Sequence, residues 1–565
     1  MNLTVNVLIG GEAGQGLVTI GQILTKSLVR SGYYVCVTQS YMSRIRGGHN
    51  TFAVRFSDQE VFAPKEEIDL LIALNAETLT FHKNEMSPEG IIVIDSKIQV
   101  EDGEFIRPPF KDLAALKFEN TAALGIAGSL LGIDEEIIAG ILDEQFGRKH
   151  PETIEENRKA LRKSYEWAKD KKSSLRKFTP IKGRSSRLMM DGNEAIALGA
   201  ASAGINFCSF YPMTPSTSII NNMISFSKTM GIVIEQAEDE IAAINMAIGA
   251  SYAGAQSMVA TSGGGFALMV EGISLAAMTE TPILVALAQR PAPATGLPTR
   301  TEQGDLNLVL YAGHGEFPRA VFAPGTPEEC FYLTRKAVEL AQKYQTPMFV
   351  LTDQFLADSF RAIEPFDVDN LSSVNPVSNS EPNTMPYKRY VITETGISPR
   401  LLPGLTKNLV IADSDEHDEY GHITEDLSIR KSMVEKRMRK GQGIISEIIP
   451  PDYSGDDEPE LLFVSWGSTK GAVNEAVRNL ANDGIKSASL HFSQIFPINP
   501  SQFISRLENA KNVICVEGNF EGQFANLLRQ KTGFLISKQI HRYDGLPFTS
   551  KFILQKSKEF LHANS

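Results

Sequence analysis

Short apolar runs that alternate with helical segments restrict the fold of this chain more than any other feature. Between residues 188 and 360, a predicted strand at 207–211 leads into a helix from Ser216, and a predicted helix at 239–253 leads into a strand at 257–261. A helix between two strands returns the chain to the end where the first strand began, so the strands can pair in parallel. The pattern therefore predicts an α/β fold built on a parallel sheet.

The chain of 565 residues is too long for one hydrophobic core, and two polar stretches divide it. We predict three domains, at 1–175, 188–364 and 387–565, joined by linkers at 176–187 and 365–386. The second linker is rich in Asn, Ser, Pro and Asp, as irregular segments are. The first linker is basic, and two interpretations stay open for it: a solvated connector or an arm that binds phosphate.

The first domain opens with a glycine-rich turn between a predicted strand at 3–9 and a predicted helix at 17–31. The turn contains Gly11, Gly14 and Gly16, and the helix N-terminus that follows it could hold an anion. A strand, a glycine turn and a helix in this order are typical of a Rossmann-like unit. The glycine spacing differs from the Gly-x-Gly-x-x-Gly of dinucleotide sites, so no nicotinamide cofactor is predicted.

Charge and composition argue against several classes of protein. The net charge of −12 does not suit a general nucleic-acid binder. No apolar run is long enough to span a bilayer and the first residues do not form a signal peptide, so we expect no membrane partner and a cytoplasmic location. The four cysteines are far apart and form no Cys-x-x-Cys pair, so we expect no iron–sulfur cluster or other metal on this chain.

Three turns in the second domain follow predicted strands, at the position where parallel sheets bind ligands. The first is Tyr211-Pro212-Met213-Thr214-Pro215, whose spacing alone also fits an ordinary strand–helix turn. The second is Glu238-Asp239-Glu240, which begins a helix, and the third is Thr261-Ser262-Gly263. Glycine lets the backbone amides of the third turn approach a ligand closely.

The number and order of these motifs resemble the fused gamma–alpha subunit of 2-oxoacid:ferredoxin oxidoreductases, of the 2-oxoglutarate type. The resemblance covers nearly the whole chain apart from the linkers, and it implies a Rossmann-like gamma domain, a pyrimidine-binding domain for thiamine diphosphate and a domain like the C-terminal domain of transketolase. Besides the three turns, the motifs that carry it are Gly10–Gly16, Arg44–His49, Glu238–Gly254, Thr261–Met269, Gln289-Arg290, Thr295–Arg300, Gly313–Glu316 and Glu416–His422.

Members of this family decarboxylate a 2-oxoacid on thiamine diphosphate, pass electrons to ferredoxin and release an acyl-coenzyme A. The resemblance favours 2-oxoglutarate as the substrate, with pyruvate and branched-chain or aryl 2-oxoacids as alternatives. A hypothesis of another class is a non-catalytic assembly subunit that keeps the fold. The presence together of Thr214, Glu240 and Arg290 speaks against it, because a scaffold does not need these three side chains.

The resemblance assigns the carboxylate beside N1′ of the thiamine aminopyrimidine to Glu240, with Glu238 and Asp239 as alternatives. Such a carboxylate needs an apolar environment that raises its affinity for the N1′ proton. Glu240 is preferred because small residues follow it at the spacing of pyrimidine-binding domains. These small residues are Ala243, Ala247 and Gly249, which together with Ala250 and Gly254 are expected to line one face of the helix and to allow close packing.

The resemblance also implies that a threonine and an arginine bind the carboxylate of the oxoacid. Thr214 matches the threonine, Arg290 is the first choice for the arginine because it follows a predicted strand at 282–288, and Arg300 is the alternative. A guanidinium group matches a carboxylate with two parallel hydrogen bonds. Contacts to the thiamine cofactor are expected from Tyr211, Pro212, Glu240, Thr261, Ser262 and Gly263.

Two motifs of the family are missing from this sequence: the Gly-Asp-Gly stretch that binds Mg²⁺ and the cysteines of a [4Fe-4S] cluster. The resemblance assigns both to a separate beta subunit, so we expect a shared active site in an αβ or (αβ)2 complex. The turn with Gly11, Gly14 and Gly16 is the expected coenzyme A or anion loop. A metal site in the loop Glu416–His422, with two histidines and three acids, is a further alternative.

Overall fold

The computed structural model describes residues 4–42, 48–100, 103–147, 150–171, 175–184, 186–374 and 386–562. The chain divides into two compact units. The first consists of Met1–Asp191, Asp358–Phe366 and Thr549–Ile553, and the second of Gly192–Ala357, Asp367–Phe548 and Leu554–Ser565. Most of the motif Arg44–His49 and residues 375–385 of the second predicted linker lie outside the described residues.

Strands and helices alternate through most of the chain. The strands are β1 (Thr4–Glu12), β2 (Tyr34–Ser40), β3 (His49–Ser57), β4 (Ile68–Ala73), β5 (Met86–Ile94), β6 (Leu188–Met190), β7 (Phe207–Phe210), β8 (Val233–Gln236), β9 (Ser257–Thr261), β10 (Ile283–Gln289), β11 (Val321–Phe322), β12 (Pro347–Asp353), β13 (Arg361–Ile363), β14 (Asp452–Gly455), β15 (Leu461–Trp466), β16 (Ser487–Phe492), β17 (Gln494–Phe496), β18 (Val513–Glu517) and β19 (Lys538–His541).

The helices are α1 (Leu17–Arg30), α2 (Ala76–His82), α3 (Phe110–Leu113), α4 (Glu119–Leu131), α5 (Glu135–Phe146), α6 (Ile154–Lys169), α7 (Gly192–Ser202), α8 (Thr217–Met230), α9 (Glu240–Tyr252), α10 (Gly263–Met278), α11 (Leu306–Leu310), α12 (Pro327–Tyr344), α13 (Gln354–Asp358), α14 (Leu427–Ser446), α15 (Lys470–Asn482), α16 (Ile504–Asn509), α17 (Gln523–Thr532) and α18 (Ser550–His562). Within the described ranges, no helix combines the length and the apolar character that a membrane crossing requires.

The first unit is built on a seven-stranded mixed sheet with the order β5-β4-β1-β3-β2-β13-β6. β1, β4 and β5 are parallel, whereas β3 is antiparallel to both β1 and β2. The apolar face of α1, with Ile20, Leu24 and Leu28, is buried in the core that this sheet forms. The predicted order of strand, glycine turn and helix is confirmed, while the sequence pattern did not indicate the antiparallel pairing of β3.

The second unit contains a seven-stranded sheet with the order β17-β11-β12-β10-β9-β7-β8. All neighbouring strands in it are parallel except β17, which is antiparallel to β11. β9, β10 and β12 are buried along their whole length, which explains why their sequences are continuous apolar runs rather than alternating ones. The predicted parallel sheet is confirmed.

A third sheet, with the order β14-β16-β15-β18-β19, also belongs to the second unit. It is parallel except for β14, and its Val464 lies in the same hydrophobic cluster as Val285 of the seven-stranded sheet. The second and third predicted domains therefore fall in one compact unit. The predicted ends of the second domain differ from this division, because β6 and β13 pair with each other and β13 pairs with β2 in the first unit.

A buried ion cluster forms around Glu280, which lies between α10 and β10 of the second unit. Glu280, which is fully buried, forms ion pairs with Lys436 (Nζ to Oε1, 2.5 Å) and with Lys440. Arg389 donates hydrogen bonds to the carbonyl of Glu280 (2.8 Å) and to Gln345 Oε1 (2.9 Å). Burial alone would raise the pKa of Glu280, but Lys440, Lys436 and Arg389 hold it well below the usual range. The cluster fixes α14 to the segment between α10 and β10.

Replacing Glu280 by Gln should therefore destabilise the second unit strongly. The substitution leaves two buried ammonium groups without a counterion, and removing one partner of a buried ion pair costs about 3–5 kcal/mol. The free energy of unfolding from chemical denaturation measures this loss. Asp457→Asn is the control, because it breaks the exposed Arg506–Asp457 pair of the same unit and should cost at most about 1 kcal/mol. Equal losses in the two variants would contradict the structural role of the cluster.

Candidate active site

The carboxyl ends of the parallel strands β7, β8, β9 and β10 place four connecting segments at one edge of the sheet. β7 leads into the turn with Thr214, β8 into Glu240, β9 into Ser262 and β10 into Arg290. Parallel sheets bind ligands at this edge because the helix N-termini that follow the strands present free backbone amides there. The structure thus brings the predicted turns to the edge where a ligand is expected.

The turn after β7 is held in place by side chains that donate hydrogen bonds to its backbone carbonyls. The hydroxyl of Ser216 donates to the carbonyl of Met213 (2.7 Å), and Asn193 Nδ2 donates to the carbonyl of Pro215 (2.8 Å). Tyr211 and Pro212 are exposed, and Thr214 is half-buried. The two exposed residues are accessible to a ligand or to another protein chain.

The three acids that follow β8 have different environments. Glu238 is exposed, and the side chain of Asp239 caps α9 by accepting a hydrogen bond from the amide of Ala242 (2.7 Å). Glu240 is only 4% exposed, and its Oε1 has no hydrogen-bond partner within the described ranges. A buried carboxylate oxygen without a donor is costly, so Glu240 has the environment expected of an acid that binds a ligand.

The small residues of α9 only partly match the predicted packed face. Ala243 and Ala247 are buried, and the carbonyl of Ala243 accepts a hydrogen bond from Ser209 Oγ of β7 (2.6 Å). Gly249 is exposed, so its predicted place on this face is wrong. Because an α-helix turns by about 100° per residue, the position of Gly249 in the sequence of α9 faces the side opposite Glu240.

The turn after β9 packs directly on Glu240. Thr261 and Ser262 are fully buried, and Ser262 Oγ has no hydrogen-bond partner in the part of the chain that the structure describes. A Cβ atom on Gly265 would lie 2.2 Å from Thr261 Oγ1 and 2.8 Å from Glu240 Oε1. A side chain at this position would fill the space beside the carboxylate, so glycine keeps this part of the site open.

Arg290 lies at the same edge, directly after β10. Its Nη1 donates a hydrogen bond to the carbonyl of Thr214 (2.6 Å), which joins the two residues that the resemblance assigns to one carboxylate. Burial lowers the pKa of Arg290, and Asp305 acts in the opposite direction. The backbone of Arg300 lies beside Leu297 and Gly545. Its amide donates to the carbonyl of Leu297, and its Cβ is 3.1 Å from the position of a Cβ on Gly545.

The sequence interpretation missed Asp305, which lies beside Gly263 and interacts electrostatically with Arg290. It is 7% exposed, its amide donates to Gln289 Oε1 (3.0 Å), and its Oδ2 has no hydrogen-bond partner among the described residues. A Cβ on Gly263 would lie 2.4 Å from Oδ2. Burial raises the pKa of Asp305 to about 6, against the effect of Arg290. Asp305 follows Arg290 by fifteen residues in the sequence, and no pattern there marks it as a buried residue.

The segment that carries Asp305 is attached to the third sheet through Gln303. The amide of Gln303 donates to the carbonyl of Gly518 (2.6 Å), and Gln303 Oε1 accepts from the amide of Gly518 (2.8 Å). Its Nε2 donates to the carbonyl of Trp466 (3.0 Å), at the end of β15. The turns after β15 and β18 therefore position the segment that contains Arg300 and Asp305.

The glycine turn of the first unit opens onto a cavity of about 310 Å³. Gly14 and Gly16 line this cavity together with Lys117 and Asn120, and Gly16 precedes the first turn of α1 with φ of 74°. The predicted anion loop is thus formed by only part of the motif, since Gly11 is buried and packs against the side chain of Gln15.

The loop Glu416–His422 makes structural contacts. Glu416 binds Arg430 and Arg437, and Glu419 binds Lys388 (2.7 Å). Burial lowers the pKa of His417, whose Nδ1 lies 3.0 Å from the carbonyl of Asp415. Over the described ranges, no group of three or more His, Cys, Asp or Glu side chains is arranged to hold a metal ion. Glu416 and Glu419 thus pair with cations of the same unit, and Asp418 Oδ1 accepts hydrogen bonds from the amides of Tyr420 and His422.

Gly265→Ala should destabilise the chain and displace Glu240, whereas Gly264→Ala should not. The added methyl at position 265 overlaps Thr261 and Glu240, at a cost of about 1–3 kcal/mol. At position 264 a Cβ meets no atom within 4 Å, so alanine should stabilise α10 by about 0.4–1 kcal/mol. Chemical denaturation of both variants measures the difference, and equal effects would contradict the contact between Gly265 and Glu240.

Comparisons with known proteins identify the family of the region that contains these residues. A family model described as "Pyruvate flavodoxin/ferredoxin oxidoreductase, thiamine diP-bdg" matches residues 198–436, and one described as "Pyruvate ferredoxin/flavodoxin oxidoreductase" matches residues 6–167. The first match contains Thr214, Glu240 and Arg290. The region of the candidate active site is therefore similar to a thiamine diphosphate-binding domain.

Individual relatives match almost the whole chain. The 2-oxoacid:ferredoxin oxidoreductase subunit alpha of a Sulfolobus species is 32% identical over 613 residues, which cover 96% of this chain and 94% of that protein. The 2-oxoglutarate oxidoreductase subunit KorA of Mycobacterium tuberculosis is 28% identical, with coverages of 96% and 90%.

A solved structure matches the whole chain equally well. It is the 2-oxoglutarate:ferredoxin oxidoreductase from Magnetococcus marinus with 2-oxoglutarate, coenzyme A and succinyl-CoA bound. It superimposes with a TM-score of 0.92 at 32% identity and covers 98% of this chain and 99% of that one. The resemblance predicted from the motifs is confirmed, and the chain belongs to the family of alpha subunits of 2-oxoacid:ferredoxin oxidoreductases.

Proposed function

We propose that this chain supplies the oxoacid-binding and thiamine-activating half of an enzyme that converts 2-oxoglutarate and coenzyme A to an acyl-coenzyme A and CO2 while reducing ferredoxin. The observation that carries the proposal is the buried carboxylate of Glu240. Its unpaired Oε1 lies beside the glycine turn of α10, at the same sheet edge as Arg290 and Thr214.

The residues at this edge fit a thiamine aminopyrimidine. Glu240 offers an unpaired buried oxygen, Ser262 offers a buried hydroxyl without a partner among the described residues, and Gly265 leaves space beside the carboxylate. When bound, thiamine diphosphate supplies the carbon nucleophile that attacks the oxoacid carbonyl and accepts its electrons. The remaining predicted contacts to the cofactor, from Tyr211, Pro212, Thr261 and Gly263, belong to the same proposal.

Glu240 is proposed to share a proton with N1′ of the aminopyrimidine. Its position favours this, because the side chain is buried and its Oε1 has no hydrogen-bond partner within the described ranges. Asp239 and Glu238 fit the role less well, since Asp239 already caps α9 and Glu238 is exposed.

Arg290 and Thr214 are proposed to bind the carboxylate of the oxoacid. A guanidinium carries five N–H donors, and the hydrogen bond from Nη1 to the carbonyl of Thr214 directs the group towards this turn. Partial burial strengthens its attraction for an anion, because the local dielectric constant is lower than in water. Arg300 stays the alternative.

The other half of the active site is proposed to come from a beta subunit in an αβ or (αβ)2 complex. That subunit would hold Mg²⁺ and the [4Fe-4S] cluster and pass electrons to ferredoxin, because this sequence has no Gly-Asp-Gly and its four cysteines are isolated. All four cysteines lie in the described part of the chain, are buried and form no disulfide bond, as in a reducing compartment, which supports a cytoplasmic location.

Coenzyme A is proposed to bind at the cavity beside Gly14 and Gly16 in the first unit. The N-terminus of α1 presents backbone amides to this cavity, and Lys117 adds a positive charge. Both features favour phosphate groups. The bound ligands named for the solved relative support 2-oxoglutarate as the oxoacid; pyruvate and branched-chain or aryl 2-oxoacids are the alternatives.

Glu240→Gln should lower kcat by at least about a hundredfold, because the amide cannot exchange the N1′ proton. The assay is oxoacid-dependent viologen reduction with coenzyme A, using this chain co-expressed with its beta subunit. Glu238→Gln is the matched control and should keep nearly full activity. Near-normal rates in Glu240→Gln would reject the assignment, and an assembled wild-type complex inactive with every oxoacid would support a non-catalytic assembly subunit.

Arg290→Ala should raise the KM for the oxoacid by about tenfold to a hundredfold, as expected when a charged hydrogen-bonded contact is lost. Arg300→Ala is compared in the same assay with the same oxoacid. If Arg300→Ala alone raises this KM, Arg300 rather than Arg290 binds the carboxylate of the oxoacid.

Lys117→Glu should raise the KM for coenzyme A by about fivefold, because it reverses a partly exposed charge beside the proposed phosphate site. The KM for the oxoacid should stay the same. Lys159→Glu is the control. It makes the same charge change at an exposed position of α6 that does not line the cavity. A similar effect of both substitutions would indicate general electrostatics rather than a coenzyme A site at this cavity.

A further inference from the structure

Asp305 is the buried acid of the candidate active site that the proposed function leaves without a role. Its side chain is almost fully buried, and Oδ2 has no hydrogen-bond partner within the described ranges. That oxygen faces the first residue of α10, because a Cβ on Gly263 would lie 2.4 Å from it. Buried acids with an unsatisfied oxygen are concentrated at functional sites.

The fold holds Asp305 in place through its backbone rather than through its carboxylate. Its amide donates to Gln289 Oε1, and Gln289 Nε2 donates in turn to the carbonyl of Thr352 (3.1 Å) on β12. Two residues earlier, Gln303 is bonded to the turn at Gly518. The carboxylate is thus fixed at the sheet edge without being used by these contacts.

Two charged groups interact with Asp305 through space. Arg290 attracts its ionised form, and Glu302 on the same segment repels it. Burial lowers the pKa of Arg290, and the field of Asp305 partly compensates for that effect. The charge of Asp305 therefore changes the electrostatic potential at the guanidinium that faces the turn of Thr214.

We propose that Asp305 is a positioning residue that acts through Arg290 and determines how strongly the site binds the carboxylate of a 2-oxoacid. In its neutral form Asp305 leaves the positive charge of Arg290 uncompensated. In its ionised form it opposes that charge and repels the incoming anion. The inference rests on the proposed function, because it takes Arg290 as the group that binds the oxoacid.

The direction of the pH dependence follows from this arrangement. Burial raises the pKa of Asp305 to about 6, so the carboxyl is neutral below this pH and ionised above it. A bound anion nearby disfavours the ionised form further, so oxoacid binding near neutral pH takes up a proton. The KM for the oxoacid then rises as the pH increases through the pKa of Asp305.

Asp305→Asn keeps the neutral form at every pH and is the main test. In the complex of this chain with its beta subunit, the KM for the oxoacid, with 2-oxoglutarate as the substrate, is measured from about pH 5.5 to about pH 8.5 for the wild type and the variant. The ratio of wild-type to variant KM should be near one at the acidic end and on the order of threefold to tenfold at the basic end. Glu302→Gln is the matched control, and it should retain the rise in KM.

A ratio that is the same at all pH values, or that falls as the pH rises, would overturn the inference, because a purely structural role changes KM and kcat alike at every pH. If the wild type shows no oxoacid-dependent viologen reduction, the proposed function fails instead. Calorimetry separates the two cases without turnover.

For the calorimetry, N-oxalylglycine, the amide analogue of 2-oxoglutarate, is titrated into the same complex at about pH 7 in buffers of different ionisation enthalpy. The wild type should take up a measurable fraction of a proton, and Asp305→Asn should take up less. Absence of proton uptake in a wild-type complex that binds the analogue would overturn the inference even if the variant does not fold, whereas absence of binding would count against the proposed function.

Discussion

The parallel pairing of β7, β8, β9 and β10 is the constraint on which the candidate active site depends. Each of these strands ends at the same edge, so the chain leaves the sheet four times within a small region. A turn at Thr214, a carboxylate at Glu240 and a guanidinium at Arg290 therefore lie at one sheet edge although the sequence separates them widely. An antiparallel strand inserted among them would send one of these groups to the opposite edge.

Three buried acids of the second unit differ in the groups that surround their carboxylates. Glu280 is surrounded by Lys436, Lys440 and Arg389, which lower its pKa despite complete burial. Asp305 interacts through space with one arginine, and burial raises its pKa. Glu240 has an unpaired Oε1. The first acid is therefore a structural ion pair, whereas the other two are available to a ligand.

The regular parts of the fold could be predicted from local patterns. The strand predicted at 257–261 is β9 with the same bounds, because a buried parallel strand is a short apolar run between turn signals. The short strands β6 and β13 could not be assigned to the first unit, since three-residue strands carry too little pattern to show their partners. For the same reason, local signals did not place the domain boundaries at the observed division.

The candidate site was predictable where a strand end or a helix start marks the residue. Thr214, Glu240 and Arg290 each follow a strand closely, and the structure brings them to one sheet edge, although their chemical roles stay predictions. Asp305 lies in an irregular polar segment whose sequence is typical of an exposed loop. Its burial results from contacts far along the chain, which no local pattern records.

The third sheet explains why that irregular segment is ordered. Glu517 accepts hydrogen bonds from the amides of Phe524 and Ala525 at the start of α17, which fixes the turn at Gly518. Gln303 binds both the amide and the carbonyl of Gly518. These hydrogen bonds fix the residues before Asp305 to the turn. The C-terminal sheet therefore positions side chains at the candidate site through a turn of its own. Under the proposed function, a change in that turn would alter oxoacid binding by displacing the segment that carries Asp305, without any direct contact to the substrate.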